Sequence, residues 1–95
     1  MIKVIAKGYI KLGEVDKFKE IASVLVKESR KEEENISYGL YQDANNEQIL
    51  TFIEEWKDQS ALDKHMKTSH FVDSMAKLSK FQEKDMDINI YNSCI

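Results

Sequence analysis

Residues 48–71 read QILTFIEEWKDQSALDKHMKTSHF, and the way this stretch folds decides the architecture of the chain. Gln48 to Trp56 is an apolar, β-branched run with apolar groups on both sides: Leu50, Phe52 and Trp56 on one, Ile49 and Ile53 on the other. Ser60 with Asp63 three residues on has the form of a capping box, and Leu62 and Met66 then lie four apart on a short helix. Thr68 or Ser69 offers a second cap, after which Phe71, Met75, Leu78 and Phe81 recur at helical spacing. The stretch therefore reads as a strand followed by a helical unit broken near Lys67.

Working outward, Ser37 to Asp43 is short and aromatic, and Asp43-Ala44-Asn45-Asn46-Glu47 supplies turn chemistry, so the two strands form a hairpin. At the N-terminus Ile2, Val4, Ala6, Gly8, Ile10 and Leu12 alternate with Lys3, Ile5, Lys7, Tyr9 and Lys11, which predicts a long strand with Gly8 marking a bulge or a close approach. Gly13 ends it. Val15, Phe18, Ile21, Ala22, Leu25 and Ser29 then predict an amphipathic helix over 15–32, and Arg30-Lys31-Glu32-Glu33-Glu34 reads as its solvated, frayed end. Met86, Ile88 and Ile90 alternate with Asp85, Asp87 and Asn89 in a last strand. The order β-α-β-β-α-β predicts an α+β, ferredoxin-like fold, an antiparallel four-stranded sheet with helices on one face. Its other face carries Ile5, Tyr9, Ile49 and Ile53 and calls for a partner.

The chain has 95 residues, which suits one domain over 1–95. Lys plus Arg number 14 against 17 Asp plus Glu, interspersed, for a net charge of -3, which argues against the clustered basic face of a nucleic-acid binder. No apolar run approaches a bilayer span, and the alternating start lacks the apolar core of an export signal, so no membrane association and a cytoplasmic location are expected. The one cysteine, Cys94, forms no disulfide framework and reads as an incidental thiol. Gly8, Gly13 and Gly39 are isolated, so no phosphate-cradling loop is present. His65 and His70 are five apart across the helix break rather than at i, i+4; Glu54 would complete a two-histidine, one-carboxylate set, but the spacing gives that little support and no metal is expected.

In spacing and residue type, Ile53 to Phe71 resembles the E-x-W-x-D-x-x-A-L-x-x-H-x-x-[ST]-x-H-F segment of the antibiotic biosynthesis monooxygenase family. The resemblance extends weakly over the rest of the chain. It implies a homodimer in which two sheets pack through their open faces into a dimeric α/β barrel, with a pocket in each subunit between the sheet and its own helices. The family includes cofactor-free oxygenases acting on anthrones, quinols or other phenolic polycycles, relatives that process a signalling sugar phosphate, and members without known activity. Fold alone does not choose among these.

Glu54 and Trp56 share strand parity with Leu50 and Phe52 and are expected to point toward the pocket. A buried carboxylate needs a partner, and His65, which matches the family's most recurrent histidine, is expected to bond Glu54 and present its other nitrogen to the cavity. Two readings of the pair stand side by side: proton transfer from an electron-rich phenol without flavin or metal, and a buried anchor between strand and helix. Trp56 is the expected stacking surface for an aromatic substrate, with His70, Phe71 and Tyr38 as further binding residues; for His70 solvent competes with the pocket mouth. The chain also departs from the family. Ser69 stands where many relatives have proline, and the haem-degrading branch's asparagine and histidine positions align with Gly8 and with Met75, Ala76 or Lys77, which disfavours haem chemistry. The resulting expectation is a cofactor-independent monooxygenase on a quinol, anthrone or related aromatic. The alternatives are an isomerase on a phosphorylated carbonyl compound, requiring Lys57, Lys64 or Lys67 to face inward, and a non-catalytic small-molecule-binding dimer.

Overall fold

The computed structural model describes residues Met1–Ile95. Strand β1 spans Ile2–Ile10, helix α1 Val15–Ser29, strands β2 and β3 Asn35–Gln42 and Ile49–Trp56, helices α2 and α3 Gln59–His65 and Ser69–Leu78, and strand β4 Gln82–Asn92 after a 3-10 turn at Ser79–Phe81. All neighbouring strands are antiparallel in the order β2-β3-β1-β4, and the helices lie on one face. The ferredoxin-like expectation is met, with the second helical unit divided as the sequence suggested.

The alternation in β1 translates directly into burial. Ile2, Val4, Ala6, Gly8 and Ile10 are buried under the helices, while Lys3, Ile5, Lys7 and Tyr9 lie half-buried on the open face. Cross-strand pairing continues both sets: Val4 stands opposite Glu54 and Ala6 opposite Phe52, whereas Ile5 stands opposite Ile53. Phe18, Ala22, Leu25 and Ser29 form the buried stripe of α1, spaced to lie on one helix face, and Phe18 meets Phe52 of the sheet at 6.3 Å between ring centroids. Gly8 is required by close approach, since a Cβ there would lie 3.1 Å from the Leu50 carbonyl oxygen and meet the Met86 side chain; the β1–β4 register also shifts beside it. Gly13, with φ of 83°, makes the left-handed turn that starts the connection to α1.

Three features differ from expectation. Helix α1 stops at Ser29, and Lys31, Glu32 and Asn35 bond back three residues to Glu28, Ser29 and Glu32. These tight turns curl Glu32 inward instead of leaving it on a frayed end. The cap of α2 is Asp58, whose Oδ1 accepts from the Ala61 amide at 2.9 Å, so the helix starts ahead of Ser60. Strand β4 lies beyond the cover of the helices, so Ile88 and Ile90 remain 57% and 48% exposed although they share the core side of the sheet with Ala6 and Val4.

Thr68 caps α3 as expected, its hydroxyl accepting from the Phe71 amide at 3.2 Å and donating to the His65 carbonyl at 2.7 Å. That double bond fixes the break between the two helices and the relative placement of His65 and His70. Exchange of the Asp58 cap for alanine is expected to cost about 1 kcal/mol of stability in urea unfolding, whereas Ser60→Ala should stay within roughly 0.5 kcal/mol. A larger loss at Ser60 would contradict the observed start of α2.

Candidate active site

The break between α2 and α3 places His65 at the last residue of one helix and His70 at the second of the next. Their rings converge, with centroids 6.1 Å apart. Between them stands Glu32. Its Oε2 lies 2.7 Å from His65 Nδ1 and 2.9 Å from His70 Nε2. A carboxylate only accepts, so each imidazole donates its N–H to the same oxygen. For a neutral His65 this leaves Nε2 with the lone pair.

His65 is 1% exposed and enclosed by rings: Trp56 at 4.5 Å, Phe71 at 4.9 Å and Tyr38 at 5.4 Å between centroids. Its Nε2 is buried and has no hydrogen-bond partner. An unsatisfied buried polar atom costs on the order of 1–3 kcal/mol, and this one belongs to a residue that lines a cavity. Burial pushes the His65 pKa down, against the opposing pull of Glu32, so the ring favours its neutral form.

The expected bond between His65 and Glu54 does not form. Glu54 Oε1 instead accepts from the Trp56 indole at 2.9 Å, two residues along the same face of β3. Glu54 is 5% exposed, and burial pushes its pKa up to about 7 while the Trp56 N–H and the Tyr38 hydroxyl pull it down. Tyr38 stands opposite Glu54 across the β2–β3 ladder, and burial first, then the Glu54 charge, raises its pKa far above the usual phenol range. Near neutral pH the site thus holds a neutral imidazole, a carboxyl group poised between its two forms, and a protonated phenol.

His65, Glu54, Tyr38 and Phe71 line one cavity of about 70 Å³ between the sheet and α2–α3, otherwise walled by apolar groups such as Val4, Phe52 and Leu62. Met66, Met75 and Met86 close its edges, and past Met75, Met86 and Ile88 it adjoins a groove of about 350 Å³ against β4. Its volume corresponds to about two waters, while an apolar cavity of about 150 Å³ admits a benzene ring. An aromatic ligand therefore needs the methionines to shift, which their unbranched side chains allow.

Two expected binding residues fall elsewhere. Trp56 is fully buried behind His65, so its ring stacks on the histidine rather than on the cavity. His70 does not line the cavity; its side chain is partly exposed, at 22%, and engaged by Glu32. The lysines needed for a phosphorylated substrate also lie outside: Lys57 and Lys64 reach Glu34 at 4.0 and 3.2 Å on the surface, and Lys67 is exposed. Glu32 was missed because a charge run at a helix end ordinarily faces water. Its one signal was a carboxylate at a helix C-terminus, where the dipole opposes it unless a donor compensates.

Comparison with known proteins bears on the family and the fold. The sequence profile of the antibiotic biosynthesis monooxygenase family matches residues 1–77. A Bacillus subtilis (strain 168) protein named "Putative monooxygenase YcnE" is 31% identical over 87 residues, covering 90% of this chain and 92% of that one. Among solved structures, a conserved protein from Methanosarcina mazei Go1 superposes with a TM-score of 0.96 at 41% identity, covering 98% of this chain and 92% of that one. An antibiotic biosynthesis monooxygenase superposes with a TM-score of 0.95 at 32% identity over the full length of both chains. With the family's profile matched over residues 1–77 and the fold shared end to end with a relative of that family, the chain belongs to the antibiotic biosynthesis monooxygenase family.

Proposed function

We propose that the chain is a cofactor-independent monooxygenase acting on a quinol, an anthrone or a related electron-rich aromatic. The observation that carries the reading is the bare Nε2 of His65, buried without a hydrogen-bond partner on a residue that lines an apolar cavity, while Glu32 accepts from Nδ1. In this reading His65 accepts the proton of a phenolic O–H or of an activated ring CH2, giving an anion with carbanion character. The anion passes one electron to molecular oxygen, and the resulting radical pair joins at carbon. The peroxide takes back the proton from His65, its O–O bond breaks, and the same carbon loses its second hydrogen. For a CH2 substrate the products are one carbonyl and one water, which accounts for both atoms of O2.

Glu54, neutral for about half its population near pH 7, is suited to donate a hydrogen bond to the substrate oxygen, as a buried carboxylic acid does elsewhere. Tyr38 and Phe71 bound the ring of the ligand, and the three methionines open toward the β4 groove to admit it. The phosphorylated-carbonyl alternative lacks an inward cation. A non-catalytic binding dimer would share the cavity and differ in showing no turnover.

We further propose that two copies pair through the open sheet face. Ile5, Ile49 and Ile53 line its middle, with Tyr41 and Tyr91 exposed at 57% and 51% toward its edges. The chain should sediment at twice 11.1 kDa, and Ile53→Lys should reduce it to a monomer; a monomeric parent protein contradicts the pairing.

Oxygen uptake over a panel of dihydroquinones and anthrones, without added cofactor, tests the activity. Uptake is expected with the parent chain and a loss on the order of 100-fold or more in His65→Ala. Full uptake in a folded His65→Ala protein, or none by the parent on any substrate, overturns the reading.

The Glu54 proton is measurable apart from turnover. With its pKa at about 7 in the fold and 4.5 unfolded, the folded chain keeps a proton that the unfolded chain releases between those values. Stability contributed through this group therefore falls as pH rises across that window, by roughly 2–3 kcal/mol. Unfolding free energies of the parent relative to Glu54→Gln, measured from about pH 5 to about pH 8, should decline by that amount. The lowered pKa of His65 acts oppositely, below pH 6.5, and is common to both proteins. A difference that stays flat would show Glu54 to be ionised throughout.

A further inference from the structure

The two nitrogens and the oxygen that meet at Glu32 form a second chemical feature, on the opposite side of His65 from the cavity. His65 Nδ1, His70 Nε2 and a Glu32 carboxylate oxygen all lie within 4.8 Å of one another. We propose that Glu32, His65 and His70 bind one divalent transition-metal ion of the zinc type, with water in the fourth position.

The ligand chemistry fits. Two imidazoles and one carboxylate suit zinc, cobalt or nickel rather than magnesium or calcium, which favour all-oxygen sites. At metal–ligand bonds of about 2.0–2.1 Å, tetrahedral ligand atoms sit roughly 3.3 Å apart. The present separations from Glu32 Oε2 are 2.7 and 2.9 Å, and the two ring nitrogens lie within 4.8 Å of each other, so the carboxylate has to withdraw by about half an ångström and the rings have to draw together around the ion. Glu32 sits on the short turns after α1 rather than inside a helix, which leaves it that freedom. His65 is fixed by three surrounding rings, so the closing movement falls to Glu32 and to the partly exposed side chain of His70.

Access and charge also fit. With His70 and Glu32 side chains 22% and 17% exposed, the group is reached from solvent. Beside it lies a surface depression of about 240 Å³ bordered by Glu32, Glu33, Glu34 and Lys64, whose one lysine is already paired with Glu34. A cation entering here meets the carboxylates of Glu32 and Glu33, which no lysine or arginine pairs.

The ion would change the cavity without entering it. In the metal-free arrangement each ring keeps its proton on the nitrogen facing Glu32. Ligation through His65 Nδ1 moves that proton to Nε2, so a lone pair facing the cavity becomes an N–H donor. His70 shifts its proton to Nδ1 in the same way, and no net proton is released. This consequence rests on the proposed role of His65 as a base, whereas the site itself does not. Metal loading should then suppress proton abstraction and act as a brake on turnover.

The test uses the full chain without a polyhistidine tag, titrated with cobalt(II) and followed by its visible d–d absorption, and with zinc(II) by calorimetry. The expected result is saturation at one ion per chain with a low-coordinate cobalt spectrum, weakened roughly tenfold or more in His70→Ala and in Glu32→Gln. Glu32→Gln is nearly isosteric and keeps an acceptor for the rings, and circular dichroism confirms that each variant is folded. Absence of saturable binding, or binding unchanged in both variants, overturns the proposal. Imidazole nitrogen chemical shifts of the zinc-loaded chain read the proton on His65 Nε2 whether or not any substrate is turned over. Failure of the oxygenase reading would therefore leave this result standing.

Discussion

Glu32 Oε2 joins the turn after α1 to the end of α2 and the start of α3, accepting from two histidines at 2.7 and 2.9 Å. The bond to His65 sets which ring nitrogen carries the proton, and that choice decides whether the cavity meets a donor or a lone pair. Everything else at the site serves to keep this imidazole where Glu32 can reach it. Trp56, Phe71 and Tyr38 pack its faces and edges, the Thr68 hydroxyl ties its carbonyl to the next helix, and the Trp56 indole, turned toward Glu54, keeps that carboxyl group on the sheet. A histidine with a 1% exposed side chain and one satisfied nitrogen is an unusual expense for a small core, and the oxygenase reading gives it a use.

The site separates its ionisable groups by environment. Glu54 and His65 face the same cavity, yet burial drives both toward their neutral forms, one by raising and the other by lowering its pKa. Glu32, nearer solvent, supplies the charge. A cavity walled mainly by apolar groups is suited to an aromatic ligand that arrives neutral and is ionised only in place, because a developing anion there meets the neutral fraction of Glu54 and an imidazole that has just taken the proton. Adaptable walls of methionine are consistent with a cavity that widens toward the β4 groove.

Much of this was legible in the sequence, and the reasons are local. The strict alternation from Ile2 to Ile10, the three-and-four spacing of Phe18, Ala22, Leu25 and Ser29, and the Thr68 cap each obey one periodicity or one hydrogen bond, so each could be read from neighbours in the chain. The parity of Glu54 and Phe52 was equally readable and put them on the covered face. What failed were pairings that depend on distance in space. His65 has two candidate carboxylates, and strand parity favoured Glu54, but the tight turns after Ser29 bring Glu32 to Nδ1 first. Once Glu32 holds His65, Trp56 slides beneath the ring and gives its N–H to Glu54. The five-residue spacing of the histidines looked wrong for a shared ligand only because the helix break, itself correctly read, was taken to separate them. The turn at Thr68 folds them together instead.

The tautomer of His65 is the quantity on which the account turns. The chain holds two histidines, so a long-range proton–nitrogen correlation spectrum of the metal-free, nitrogen-15-labelled protein at neutral pH resolves both rings. The account predicts a neutral His65 with its proton on Nδ1 and an unprotonated Nε2, lost or mixed in Glu32→Gln. A proton on Nε2, or a doubly protonated ring, in the parent protein would contradict it.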